Sequence, residues 1–359
     1  MEKRKIQKLR IIIIVIVSMA ATLFVLYLVP FLHPIKVFYD PFCGYGYTVF
    51  KDYVSVDDHY HVHIREEQMP DYLWGRPVEV INGGCFTEPE FVIMSNSSYY
   101  NWRATYPKKI VLSEHTEIIG EAAFRYSPYL KEVVGGTCVK VVESYAFDGC
   151  EKLQQVELGN SLEYVGKSAF YCCINLEGFS FGENITYIGD YAFAWTKINQ
   201  LPENMELEYL GDYAFKGTAI AEVPEELHAE YIGTGVFSNT PWLEAQTEEY
   251  VILDGVLLQY NGDDEVVMVP EGIRGIAGAF GDNENIKEIY VSEGTEYISD
   301  YSFPDIEGVK IYIPGSVTDF YGKIGGTWQE RITIVTMAGT AAQQYAIDND
   351  IPYEIVEEW

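Results

Sequence analysis

The sequence predicts an α/β, β-rich solenoid of repeating units of about 22–23 residues, preceded by one N-terminal transmembrane helix. A short phrase ending in Phe recurs in phase along most of the chain. A 22-residue run without a charge, Ile11–Leu32, follows a basic tail. The composition, 48% hydrophobic and 22% charged over 359 residues, belongs to a folding chain and excludes wholesale disorder.

The first element is the tail and its apolar run. Residues 1–10 hold Lys3, Arg4, Lys5, Lys8 and Arg10 against a single Glu, a net charge of +4, which leaves −34 of the total −30 to the rest. As a helix, residues 11–32 would span about 33 Å, enough for a hydrocarbon core of ~30 Å. The run exceeds the usual apolar region of a cleaved signal peptide. It therefore predicts a signal anchor. The basic tail would stay in the cytoplasm and residues 33–359 would lie outside the cell. An exterior at −34 repels phosphates and argues against nucleic acid as a partner.

The repeat comes next. The strong copies are IIGEAAF (118–124), VVESYAF (141–147), YVGKSAF (164–170), YIGDYAF (187–193), YLGDYAF (209–215) and YIGTGVF (231–237). Weaker copies are GIAGAF (275–280) and YISDYSF (297–303). The closing Phe residues stand 23, 23, 23, 22, 22, 43 and 23 apart, so one unit between Phe237 and Phe280 has lost its Phe. One unit cannot bury its own apolar side chains, whereas stacked units bury them as continuous ladders.

Each column has a physical reading. An aliphatic precedes the Phe (Ile119, Val142, Val165, Ile188, Leu210, Ile232), often followed by a Gly, which predicts a tight turn after a short strand. Three residues after the Phe comes a small column: Ser127, Cys150, Cys173, Thr196, Thr218 and Thr240. Tyr forms two further columns, Tyr164/187/209/231/297 and Tyr145/191/213/301. They suit stacking between coils, and less directly a binding surface. An L-x-x-I-x-I phrase ends in strand-like alternation, as in Leu153–Val156–Leu158 and Ile286–Ile289–Val291.

The period and the L-x-x-I-x-I phrase place the array among leucine-rich repeats. With its added IGxxAFxxC phrase it resembles the BspA-type leucine-rich repeat of surface proteins, from about residue 110 to 314. The segment 237–272 resembles a variant in which hairpin-like strands replace one unit, with Tyr260-Asn261-Gly262-Asp263 as its tight turn. Residues 336–356 resemble a closing strand–helix–strand. The predicted organisation is a cytoplasmic tail (1–10), an anchor (11–32), an unassigned extracellular segment (33–103), repeats (104–314) and a cap (315–359). VINGGCF (80–86) hints at a degenerate first copy.

Candidate sites are few. The sequence has no GxSxG, HExxH, phosphate-loop or GxGxxG motif, so no catalytic residue and no cofactor is expected. The absence of CxxC removes the zinc-ribbon and thioredoxin readings, and Cys43 and Cys85 leave a pairing open in the unassigned segment. His59, His61 and His63 alternate, which would set three imidazoles on one face of a strand as candidate metal ligands. The plainer reading is an amphipathic strand with Tyr60, Val62 and Ile64 turned inward. The outward positions of L-x-x-I-x-I form the candidate ligand-binding surface: Lys131, Glu132, Gln154, Gln155, Glu157, Glu177, Ser180, Lys287, Glu288 and Tyr290.

The expectation from these elements is a single-pass, cell-surface binding protein, bacterial by its resemblance. The resemblance implies adhesion, or capture of a protein or glycan on a host or neighbouring cell. An envelope spacer or scaffold is the alternative. Metal capture through His59, His61 and His63 is the weaker one.

Overall fold

A computed structural model describes short strands between residues 35 and 81, then residues 107–358 except 226, 282 and 327–330. The anchor 11–32, Cys43, Cys85, His61 and His63 lie outside the described residues. His59 closes the strand Val54–His59. Among the described residues no helix is long and apolar enough to cross a membrane.

The chain divides into two compact units, one up to Leu162 with Gly178–Gly182, the other holding Glu163–Glu177 and Glu183 onward. In the first, Ile35–Val37, Tyr45–Val49 and Val54–His59 form an antiparallel meander. Parallel pairing then takes over through Arg76–Ile81, Ile118–Ile119 and Val141–Val142. Val80 and Ile81 align with Ile118 and Ile119, so the degenerate phrase at 80–86 begins in register with the repeats. A second parallel sheet runs Glu66–Gln68, Lys109–Leu112, Glu132–Gly135, Gln155–Glu157 and Gly178–Phe179.

In the second unit Tyr164–Val165, Tyr187–Ile188, Tyr209–Leu210 and Tyr231–Ile232 form one parallel ladder. A separate sheet holds Tyr250–Leu253, Val256–Tyr260, Gly275–Ile276, Tyr297–Ile298 and Asp319–Phe320. A third runs Val266–Met268, Glu288–Tyr290, Lys310–Tyr312, Thr333–Met337 and Tyr353–Val356, all parallel. Helix is confined, among the described residues, to Pro241–Glu244 and Ala341–Asp348. Each is capped by a Thr hydroxyl, Thr240 accepting from Leu243 N and Thr340 from Gln343 N. The last elements are the strand Thr333–Met337, the helix Ala341–Asp348 and the strand Tyr353–Val356.

Strands of two residues hold because the coils continue to bond beyond them. Gly189 N donates back to Val165 O. Across the following corner the direction reverses: Tyr191, Phe193 and Trp195 N–H groups donate forward to Asp212, Ala214 and Lys216 carbonyls. The corner needs left-handed backbone two residues before and two after the Phe. Tyr191 (φ 56°) and Trp195 (φ 61°) adopt it, as do Ala122, Tyr126, Tyr145, Ser168, Cys172, Tyr213 and Tyr301. Such residues cost about 1–2 kcal/mol each. The hydrogen bonds and the buried Phe offset that. Phe124 and Phe147 stack at 4.9 Å in the first unit, and Phe170, Phe193, Phe215 and Phe237 follow one another at 5.2–5.8 Å in the second, every ring at 0–1% exposure.

The glycine after the aliphatic does not make a turn. Gly189, Gly211 and Gly233 are absent from the left-handed region. They are glycine because the preceding coil approaches too closely: an added Cβ would lie 2.6, 2.5 and 2.6 Å from Lys167 N, Asp190 N and Asp212 N. The hairpin also turns elsewhere than Tyr260–Asp263. It closes at Asp254 (φ 50°) and Gly255 (φ 71°), the paired positive φ angles of a type I′ turn.

The unit without a Phe is filled by Tyr260. Its ring is 6% exposed and 5.5 Å from Phe280, and its N–H donates to Ala279 O as the N–H groups of Phe193, Phe215 and Phe280 donate to their next coils. Between Tyr231–Ile232 and the next sheet the strand ladder breaks. Side chains bridge the break: Tyr297 bonds both backbone groups of Ile232, Arg274 reaches the Ala229 and Glu230 carbonyls, and the Thr234 and Ser299 hydroxyls meet at 2.7 Å.

Candidate binding surface

In the first unit the alternation of L-x-x-I-x-I sends Ile110, Val133 and Val156 inward in register, each at 0% exposure. The alternate positions face out. Lys109, Glu132 and Gln155 align in one row, and Glu132 pairs with Lys109 at 3.4 Å. Val134 and Glu157 align in the next, where Gln155 donates its side-chain N–H to Glu157. Lys131, Gln154, Gln155 and Glu157 are exposed, whereas Glu132 and Ser180 are half-buried.

The remaining predicted residues belong to the second unit. Glu177 is exposed. Lys287 is exposed and paired with Glu265 at 2.6 Å. Tyr290 donates to Glu288 at 2.8 Å and stacks on Tyr312 at 4.0 Å. The bonds to Glu288 and Tyr312, with a smaller contribution from burial, push the Tyr290 phenol well above its usual range. Glu132, Gln155 and Glu157 share one five-stranded sheet, and Glu288 and Tyr290 share another.

A second arrangement joins the expected Tyr columns to a row of carboxylates that the sequence analysis does not single out. In the second unit Tyr164, Tyr187, Tyr209 and Tyr231 stack at 4.4, 4.7 and 4.9 Å, and Tyr191 stacks on Tyr213 at 5.0 Å. Between these two columns the residue after each Gly is Lys167, Asp190, Asp212 and Thr234. Asp190 accepts from Asp212 N (3.1 Å), Tyr209 OH (3.1 Å) and Lys167 Nζ (3.3 Å). Asp212 accepts from Thr234 N at 2.7 Å, and Asp300 from Lys323 N at 2.6 Å. Each carboxylate thus satisfies a backbone N–H of the following coil. Burial, with Asp190 and Asp300 nearby, raises Asp212 to about 6 although the Thr234 amide and Lys167 oppose it. The signal was the Asp in YIGDYAF, YLGDYAF and YISDYSF.

Stacked coils of about 22–23 residues, with parallel strands on two faces and ladders of Phe and aliphatic side chains within, define a leucine-rich-repeat solenoid. The chain belongs to the BspA type leucine rich repeat family, whose model matches residues 117–244 and 266–324 in six copies. No curated protein matches it. Among solved structures it is similar to a leucine rich cell surface protein of Faecalibacterium prausnitzii, at 18% identity and a TM-score of 0.46, over 87% of this chain and 97% of that one. It is similar to the pneumococcal vaccine antigen PcpA at 16% identity and a TM-score of 0.46, over 90% and 99% of the two chains. A leucine-rich repeat protein of Bacteroides ovatus matches at 13% identity and a TM-score of 0.40, over 90% and 98%.

Proposed function

We propose that this protein is a cell-surface solenoid, held in the membrane by residues 11–32, that works by non-covalent binding of a protein or glycan on a host or neighbouring cell. A non-catalytic role goes with that reading. The observation that carries it is the outward face of the parallel sheet at Glu132–Gly135 and Gln155–Glu157. Its inward side repeats the same aliphatic residues coil after coil, while Lys131, Glu132, Gln154, Gln155 and Glu157 vary on the outside. A face whose backbone is fixed by stacking and whose side chains are free to differ suits recognition. Family membership supports a binding role of this general kind.

The test is binding of the full chain, purified in detergent, to mucins, matrix proteins, glycans and whole cells. A variant with Gln154, Gln155, Glu177 and Tyr290 changed to Ala runs beside it. Saturable binding that the variant weakens supports the proposal. A folded protein that binds nothing on the panel overturns it in favour of an envelope scaffold, for which crosslinking in the native membrane would then find the partner.

A further inference from the structure

The break in the strand ladder has a second consequence. The residue two before each closing aromatic ring is Ser168, Tyr191, Tyr213, Gly235, Leu258, Gly278 and Tyr301 in the coils of the second unit. The aromatic column of Tyr191 and Tyr213 therefore stops at Gly235 and resumes at Tyr301, with glycine at both Gly235 and Gly278. Gly235 must be empty, since a Cβ there would lie 2.5 Å from the Tyr213 ring and 2.7 Å from Ser238 Oγ. Gly278 is likewise closed to a side chain, by Thr234 Cγ2 at 2.5 Å. Both glycines line a cleft of about 600 Å³, within the size range of small-ligand sites.

The walls of this cleft have a distinct chemistry. Their polar side chains are Ser238, Gln259, Asn261, Asn283, Glu284 and Asn285, with Leu243 and Leu258 as apolar ground. Among the described residues neither Lys nor Arg lines it, and Glu284 is the one charged residue that does. Part of this set holds the walls in place. Asn283 donates to Gly262 O at 2.9 Å and accepts from Asn285 N at 3.0 Å, while Asn261 donates to Glu248 O at 2.8 Å. The Ser238 hydroxyl, the Glu284 carboxylate and the Asn285 side-chain amide make no hydrogen bond among the described residues and remain available to a ligand.

We infer that this cleft is a saccharide-binding site, taking a neutral oligosaccharide. A side-chain amide offers a donor and an acceptor side by side, the pairing that vicinal sugar hydroxyls present. A carboxylate adds a strong acceptor for hydroxyl donors. An anionic ligand such as a phosphate, sulfate or uronate would meet Glu284 with no cation to pair it. Leu243 and Leu258 supply apolar surface for sugar C–H groups. The cleft shares no residue with the sheet face proposed above, so the two readings stand or fall independently.

The test uses the full chain in detergent, titrated with cello-, xylo-, manno-, malto- and chito-oligosaccharides. A heparin oligosaccharide and a Lys-rich peptide serve as charged probes. The expected result is saturable binding of at least one neutral oligosaccharide, weakened about tenfold or more in the double variant Glu284→Ala/Asn285→Ala. Both residues are exposed and their side chains bond nothing in the fold, so the variant should melt with the parent. The variant at Gln154, Gln155, Glu177 and Tyr290 serves as the comparison that assigns a bound sugar to the cleft or to the sheet face. Three results would overturn the inference: no neutral sugar bound at millimolar concentration by folded protein, binding indifferent to the double variant, or binding of the charged probes alone. A sugar bound but lost only in the sheet-face variant would assign it to that face instead.

Discussion

The phenol of Tyr297 sits on the backbone of Ile232, accepting from its N–H at 3.1 Å and donating to its carbonyl at 3.2 Å across 65 residues of sequence. It reaches there because Gly275 has no side chain, and an added Cβ would lie 2.2 Å from Tyr297 Cζ. One hydroxyl thus replaces a strand where the parallel ladder stops. Burial pushes this phenol up to about 12, so it stays protonated and can donate at any physiological pH.

Tyr297→Phe should therefore destabilise more than the loss of one surface hydrogen bond. It leaves a buried N–H and a buried carbonyl without that partner, at a cost of about 1–3 kcal/mol. Urea denaturation followed by circular dichroism measures it. A change below a few tenths of a kcal/mol would mean that the bridge is not part of what joins the two ladders.

The second prediction concerns Asp212, which faces Asp190 and Asp300, the Lys167 ammonium and the Thr234 amide. Its folded value is raised to about 6, above the usual carboxylate value. The folded state then holds a proton that the unfolded state has lost. The stabilisation from that proton is complete below about pH 4 and disappears as pH rises through about 6. Asp212→Asn keeps an oxygen for the Thr234 N–H and removes the charge. It should exceed the parent in stability by about 1–3 kcal/mol above pH 7, with the gap closing toward pH 4. Thermal melts of both proteins from pH 4 to 8 decide the matter. A constant gap across that range would remove Asp212 as the titrating group.

The glycine column gives a third. Gly211→Ala would place a methyl group 2.5 Å from Asp190 N, against backbone rather than a flexible side chain. The coils would have to part, and a loss of about 2 kcal/mol or more is expected, as for other overpacked sites. Gly272 (φ 84°) has nothing within 4 Å of an added Cβ, so Gly272→Ala costs only the left-handed backbone, about 1–2 kcal/mol. Equal losses in the two variants would contradict close approach as the reason for glycine in the column.

How much of this was open to reading depends on what repeats. Phe124 to Phe237 and the aliphatic column were legible because every coil buries the same ring and the same aliphatic against its neighbour. The outward positions of L-x-x-I-x-I were legible because alternation on a strand is fixed by geometry. What failed was local or non-repeating. Gly189 and Gly211 were read as turn residues, since sequence does not distinguish a positive φ from a close approach. Asp254-Gly255 rather than Tyr260–Asp263 makes the hairpin turn, and Asp-Gly is among the strongest hairpin signals. The amide-lined cleft was invisible because it is made by the break between ladders, which brings Ser238 into one cavity with Asn283 and Asn285.

The left-handed corners carry a fourth prediction. Ala122 (φ 54°) occupies a corner position that Gly235 and Gly278 fill elsewhere. Ala122→Gly removes the steric cost of about 1–2 kcal/mol but adds freedom to the unfolded chain, worth about 0.4–1 kcal/mol. The difference favours a net gain of up to about 1.5 kcal/mol, read as a higher melting temperature. A clear loss would mean that the methyl group packs more than its exposure suggests.

Tyr260 tests the assignment of the unit that lacks a Phe. Its spacing from Phe237 is 23 residues, the repeat's own period, and only the surrounding phrase is lost. If the ring fills the Phe position, Tyr260→Phe keeps both the stack on Phe280 and the backbone bond to Ala279 O. It gives up the contact of the hydroxyl with Asp264 at 3.4 Å, a long and partly exposed one, and should change stability by less than about 1 kcal/mol. Tyr260→Ala removes a buried ring between the hairpin and the next coil and should cost about 3–5 kcal/mol. Denaturant melts of the two variants separate these outcomes. If Phe were as harmful as Ala, the hydroxyl rather than the ring would be what this position requires, and the array would be interrupted there instead of continued by a substituted coil.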